Sequence, residues 1–205
     1  MPKDESFDVL LVRAGATPWD AVHRIQGHTD LPLTDEARQA FEQHLDDIDL
    51  PALTLIASGK EESVITCADV LASRFESPKR KKSSDLQEIN LGLWEGLLES
   101  DAQERYSKAY GAWEQDPTTV TPPDGESLAD VDHRVAKAVR KILEKASSPI
   151  AIVVRPITWG VLVCRAKDIP LSELWDVIET NEPTMQLQMS PAQFKARPLA
   201  TEAGT

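Results

Sequence analysis

The sequence predicts an α/β fold organised on a mostly parallel sheet, and three observations carry that expectation. Short apolar runs alternate along the chain with stretches whose apolar residues recur at helical spacing. The run Ile-Ala-Ile-Val-Val at residues 150–154 is apolar throughout, as in a strand covered on both faces. The first apolar run ends at Arg13 and passes into the small-residue turn Ala14-Gly15-Ala16-Thr17. Such strand-to-loop corners are where parallel sheets present chemistry, yet an alanine at the centre of this one has none to offer.

The elements follow in order. Residues 7–12 read as the first strand. Thr34 is placed to cap a helix over 35–47, with Ala37, Phe41, Leu45 and Ile48 on one face. Residues 53–57 form a second short strand, and Ser58-Gly59 turns into a helix carrying Val64, Ala68, Leu71 and Phe75. Lys79-Arg80-Lys81-Lys82 reads as a basic, solvated loop, and 85–89 as an extended segment. A helix over 99–115 precedes a proline-rich loop at 116–126. Ser127 with Asp130 forms a capping box that opens the most regular amphipathic helix, with Leu128, Val131, Val135, Val139 and Ile142 in a stripe. The buried strand 150–154 leads into a helix over 157–166. Residues 184–189 alternate like a late or edge strand, and a loose tail follows from about residue 190.

The 205 residues suffice for one compact domain spanning 1–205 with a sizeable core. The net charge of −12 argues against nucleic acid or an anionic membrane as a partner. No apolar run approaches the roughly 20 residues of a membrane span, and the first residues do not resemble a signal peptide. A cytoplasmic location is the expectation. Cys67 and Cys164 each lie in an apolar helical pattern, as buried thiols in a reducing compartment do.

Five stretches, "LVRAGATPW", "RIQGHTDLPLTDEARQA", "LQEINLGLWEG", "PPDGES" and "IAIVVRPITWG", fall in the order and spacing of one family. The chain resembles the histidine phosphatase superfamily, in its phosphoglycerate-mutase-like branch, over residues 7–165. The resemblance implies a three-layer α/β/α sandwich with a mostly parallel central sheet. It also implies a phosphate pocket in which a histidine after the first strand attacks phosphorus. A flanking arginine, a second arginine at the start of the second helix and a second histidine after the later buried strand complete that pocket, and a glutamate donates a proton.

Carried over by position, the resemblance keeps the periphery and loses the centre. Arg13 and Gly15 match, but Ala14 stands in the nucleophile's place. The second arginine falls at Glu62 and the second histidine at Pro156. Arg24 is retained at a further phosphate or substrate contact, and Glu88 as the candidate acid. Alanine has no lone pair with which to form a phosphoenzyme, and losing the nucleophile from an interdependent set costs on the order of 10⁶ in rate. A carboxylate about 4 Å from a phosphate charge opposes binding by roughly 4 kcal/mol at an effective dielectric near 20. Pro156 offers neither a side-chain donor nor an N–H. Each replacement also has a structural reading: proline suits a first helical turn, and Glu61 and Glu62 suit the positive end of a helix dipole. If the family geometry holds, Arg13, Arg24, Glu62 and Glu88 converge, with Glu62 either pairing with Arg13 or facing solvent.

The remaining residues add no second constellation. His23, His28, His44 and His133 read as surface histidines. Neither histidine nor cysteine spacing fits a metal site, and no cofactor is expected. Trp159, next to the Pro156 corner, reads as core, with filling of the vacated substrate space or a partner-facing position as the alternatives. Three functions fit. The first is an inactive histidine-phosphatase-like protein retained for binding a protein or an altered ligand. The second is a phosphatase or mutase acting on a small phosphorylated metabolite through a rearranged site. The third is a structural or assembly subunit, which includes a homo-oligomer.

Overall fold

The computed structural model describes residues 6–49, 51–76 and 78–195. A five-stranded sheet runs through its centre in the order β3-β2-β4-β1-β5. The strands are β1 (Phe7–Arg13), β2 (Leu55–Ser58), β3 (Lys79–Lys82), β4 (Ile150–Val154) and β5 (Thr184–Met189). The first four are mutually parallel, and β5 closes the β1 edge antiparallel. This is the mostly parallel α/β sheet that the sequence predicts.

Side chains alternate along β1 between two apolar cores. Leu10 and Val12 pack with Phe41, Leu45, Val64, Cys67 and Leu71 beneath α1 (Asp35–Asp47) and α2 (Glu62–Ala72). Val9 and Leu11 face the other way, toward Val131, Val135 and Val139 of α5 (Leu128–Leu143) and Trp159 of α6 (Pro156–Lys167). Helices therefore cover both faces, which is why β4 is buried at all five positions. Thr34 caps α1 by accepting the Ala37 N–H at 3.0 Å. The Ser127–Asp130 capping box is present at α5.

Four sequence expectations need correction. Lys79–Lys82 is not a loop: its backbone pairs in parallel with β2, and its four exposed side chains blunt the sheet edge. Residues 84–86 form a 3₁₀ turn rather than extended chain. The helix at 99–115 is two, α3 (Glu99–Arg105) and α4 (Ser107–Gln115), broken at Tyr106. The break lets Tyr106 and Tyr110 both pack against Trp94, with ring centroids at 6.2 and 5.3 Å. Beyond residue 190 the described segment is anchored, not loose. Phe194 is buried, and Arg165 donates to the carbonyls of Gln193 and Lys195 at 3.1 and 2.9 Å. Residues 196–205 of the expected tail lie outside the described residues. A short helix, α7 (Leu174–Thr180), carries Trp175, whose Nε1–H donates to the Trp113 carbonyl at 2.9 Å.

Candidate functional site

The strand register brings the carboxyl ends of β1, β4 and β2 level, with Arg13 opposite Val154 and Ser58 opposite Val153. Two corners meet there. The Ala14 N–H donates to the Val154 carbonyl at 2.8 Å, and the Arg13 N–H to Pro183 at 2.7 Å. Gly15 approaches α1 so closely that a Cβ on it would stand 3.2 Å from the Ala37 Cβ. Between the corners opens a cavity of about 530 Å³. Ala14, Ala16, Ala37, Ala40, Phe41, Pro156, Ile178 and Pro183 make most of its wall apolar, while Arg13, Arg155, Asp20 and His44 supply polar groups.

Arg13 is half-buried. Its Nη1 donates to the Ile178 carbonyl at 2.6 Å, and the guanidinium lies 5.2 Å over the Trp159 ring. Burial lowers its pKa, against the opposing charge of Glu182. Trp159 is wholly buried in the core below and contributes no cavity lining, so it carries Arg13 and does not fill the space.

The second cation of the cavity is Arg155, which the sequence reading did not single out. It is the residue before α6 and only 4 % exposed. Its Nη2 donates to Gln26 Oε1 at 2.6 Å, and its Nη1 lies 3.6 Å from Asp20 Oδ2. Thr17 ties these partners together: its N–H donates to Asp20 Oδ2 at 2.6 Å, and its hydroxyl stands 2.8 Å from both Asp20 and Gln26. Two buried nitrogens of the lining residues, Arg155 Nε and His44 Nε2, have no hydrogen-bond partner among the described residues. A charged residue directly after a wholly apolar strand was the signal for Arg155, because the strand carries it to the sheet's functional edge. His44 corrects the expectation of four surface histidines: it is half-buried and lines the cavity, whereas His23, His28 and His133 are exposed.

The other expected site residues do not join Arg13. Glu62 is exposed at the first turn of α2, and its backbone N–H donates to Asp30 Oδ1 at 2.7 Å. Its neighbour Glu61 turns inward instead, is 1 % exposed, and accepts the Glu88 N–H at 2.6 Å. One residue of helical phase thus separates the inward carboxylate from the outward one, and no Glu62–Arg13 pair forms. Desolvation pushes the Glu61 pKa up, partly offset by backbone hydrogen bonds and the Arg155 charge.

Glu88 is buried behind the cavity. Its Oε2 accepts the Ile157 N–H at 2.8 Å, and its Oε1 accepts the Thr158 N–H at 2.9 Å. Arg134 of α5 fixes this segment by donating to the carbonyls of Asp85, Gln87 and Glu88. Glu88 therefore serves as the N-terminal cap of α6, satisfying donors that the helix leaves open. Arg24 stands outside the lining, donating to the Gly96 carbonyl and stacking 5.7 Å from the Trp19 ring. Cys67 and Cys164 are buried and not disulfide-bonded. Burial pushes the Cys67 thiol up to about 11, so it adds no anion near the corner.

Comparison with known proteins places these features in a family. The profile of the histidine phosphatase superfamily (branch 1) matches residues 9–200. Phosphoserine phosphatase 1 of Hydrogenobacter thermophilus is 24 % identical over 170 residues, which cover 82 % of this chain and 79 % of that protein. Phosphoglycerate mutase-like protein 4 of Arabidopsis thaliana is 28 % identical over 149 residues, covering 72 % of this chain and 65 % of the plant protein. Among solved structures, Bacillus stearothermophilus YhfR superposes with a TM-score of 0.76 at 27 % identity, over 82 % of this chain and 83 % of its own. With the sheet order, the two-faced helical cover and a profile match over nearly the whole chain, this protein belongs to the histidine phosphatase superfamily, branch 1.

Proposed function

We propose that this protein is a pseudophosphatase: it keeps the histidine phosphatase fold and uses the cavity at its strand ends for binding, not for phosphoryl transfer. The observation that carries this reading is Ala14. The resemblance puts the nucleophile at this position, and its side chain is a methyl group in the cavity wall. Three further features support it. Pro156 lines the same cavity without a donor, Glu62 faces solvent, and Glu88 spends both oxygens on α6. Arg13 remains in the cavity wall as a cation for an anionic group, with the buried Arg155 adding positive charge beside it.

His44 favours a second reading, a phosphatase with a rearranged site, because an imidazole shares the cavity with both arginines. Hydrolysis assays with phosphoserine, phosphoglycerates and an aryl phosphate separate the two. The binding reading expects no turnover above a blank from the wild type. Turnover that Glu88→Gln or His44→Gln abolishes would overturn it.

A further inference from the structure

Resting on the reading of this cavity as a non-catalytic binding site, we infer that it takes a small monocarboxylate with an apolar tail. The carboxylate sits on Arg13, and the tail lies against Ala14, Phe41 and Ile178. The charge of the lining sets the anion. Arg13 and Arg155 are positive and Asp20 is negative, which leaves one net positive charge among the lining residues. Glu182 also acts on Arg13, which further disfavours a dianion. Asp20 and Gln26 engage the Nη atoms of Arg155, so that guanidinium contributes its field more than its fork. Among the described residues the Arg13 guanidinium makes one hydrogen bond, from Nη1 to the Ile178 carbonyl, and it lies over the Trp159 ring. Its remaining N–H groups suit two-point recognition of a carboxylate.

The wall sets the rest of the ligand. A phosphomonoester carries polar oxygens into whatever surrounds it, whereas Ala14, Phe41 and Ile178 offer no hydrogen bond to such groups. Alanine in the nucleophile's place both vacates volume and turns polar wall into apolar wall. A cavity of about 530 Å³ is within the range that encloses a small organic ligand.

Calorimetric titration of the wild type with butyrate, hexanoate and octanoate tests this, with octanol and octyl phosphate as controls. The expectation is one saturable site whose Kd tightens about tenfold with each pair of added methylenes as they are buried. Octanol and octyl phosphate should both bind more weakly than octanoate. Arg13→Gln should weaken octanoate at least tenfold. Ala40→Trp, on the exposed side of the cavity wall, should block it while the protein stays folded by circular dichroism. Octanol binding as tightly as octanoate, octyl phosphate binding more tightly without being hydrolysed, or no octanoate binding by folded protein would each overturn the monocarboxylate assignment. All three would leave the non-catalytic reading standing. Hydrolysis of octyl phosphate would overturn that reading itself.

Discussion

Glu61 Oε1 accepts the backbone N–H of Glu88 at 2.6 Å, so two carboxyl side chains, 1 % and 3 % exposed, lie on adjoining segments behind the cavity. Glu88 accepts from three backbone N–H groups, those of Ile89, Ile157 and Thr158, with the Thr158 hydroxyl shared between it and the Gln87 carbonyl. Glu61 Oε2 has no donor among the described residues. The burial penalty therefore falls mainly on Glu61, whose pKa is raised. A raised carboxyl pKa contributes stability that is fully present below the unfolded value, about 4.3. That contribution is lost as pH rises through the folded value.

Glu61→Gln should therefore raise the melting temperature at neutral pH, since the amide keeps an oxygen for the Glu88 N–H and carries no charge. The gain should shrink as pH falls toward about 4, where glutamate becomes protonated in both states. Each kilocalorie recovered shifts Tm by roughly 2–4 °C at this chain length. Thermal unfolding from acid to neutral pH checks it. A variant less stable at neutral pH would mean that the attraction of Arg155 outweighs the burial penalty.

Glu88 should behave as a cap. Glu88→Ala strips the first turn of α6 of its acceptors at Ile157 and Thr158 and should cost about 3 kcal/mol. Glu88→Gln retains one acceptor oxygen and should cost about half as much. Urea denaturation compares the two; equal stability of all three proteins would remove Glu88 from the structural account.

Asp132 and Arg165 form a buried, two-point ion pair between α5 and α6, with Nη2 to Oδ2 at 2.7 Å. Asp132→Ala leaves the guanidinium buried without its counter-charge and should cost about 3–5 kcal/mol. Arg165 also holds the carbonyls of Gln193 and Lys195, so Arg165→Met should speed amide exchange around Phe194. Hydrogen exchange across residues 190–195 reads that effect.

What the sequence revealed and concealed follows from the range of the interactions. β4, the Thr34 cap and the Ser127–Asp130 box are written in contiguous residues, so pattern alone exposes them. Lys79–Lys82 hid its strand because an edge is defined by the neighbour it pairs with, and four charges resemble a solvated loop. At the site, three positions of the family pattern, Arg13, Ala14 and Pro156, line one cavity. The pattern left Glu62 open between Arg13 and solvent, because the phase of α2, set by Glu61 turning inward, decides which carboxylate is buried. Arg155 escaped notice because its partners, Gln26 and Asp20, lie more than a hundred residues away in the chain.

The structure also sets what repair of the site should achieve. Glu62 stands in solvent, where its charge is screened over about 8–10 Å, so Glu62→Arg alone should leave phosphate affinity within about twofold of the wild type. Ala14→His acts differently, because the imidazole enters the cavity itself beside Arg13 and Arg155. It should narrow the space without restoring transfer. Pro156 still supplies no donor, and Glu88 is still committed to Ile157 and Thr158. The expected outcome is no hydrolysis of an aryl phosphate above a blank and no phosphoryl adduct by intact mass spectrometry after incubation with it. A stable adduct on Ala14→His would show that the corner remains competent for the first half of the reaction. Ala14 alone, rather than the loss of the whole set, would then separate this chain from an active phosphatase.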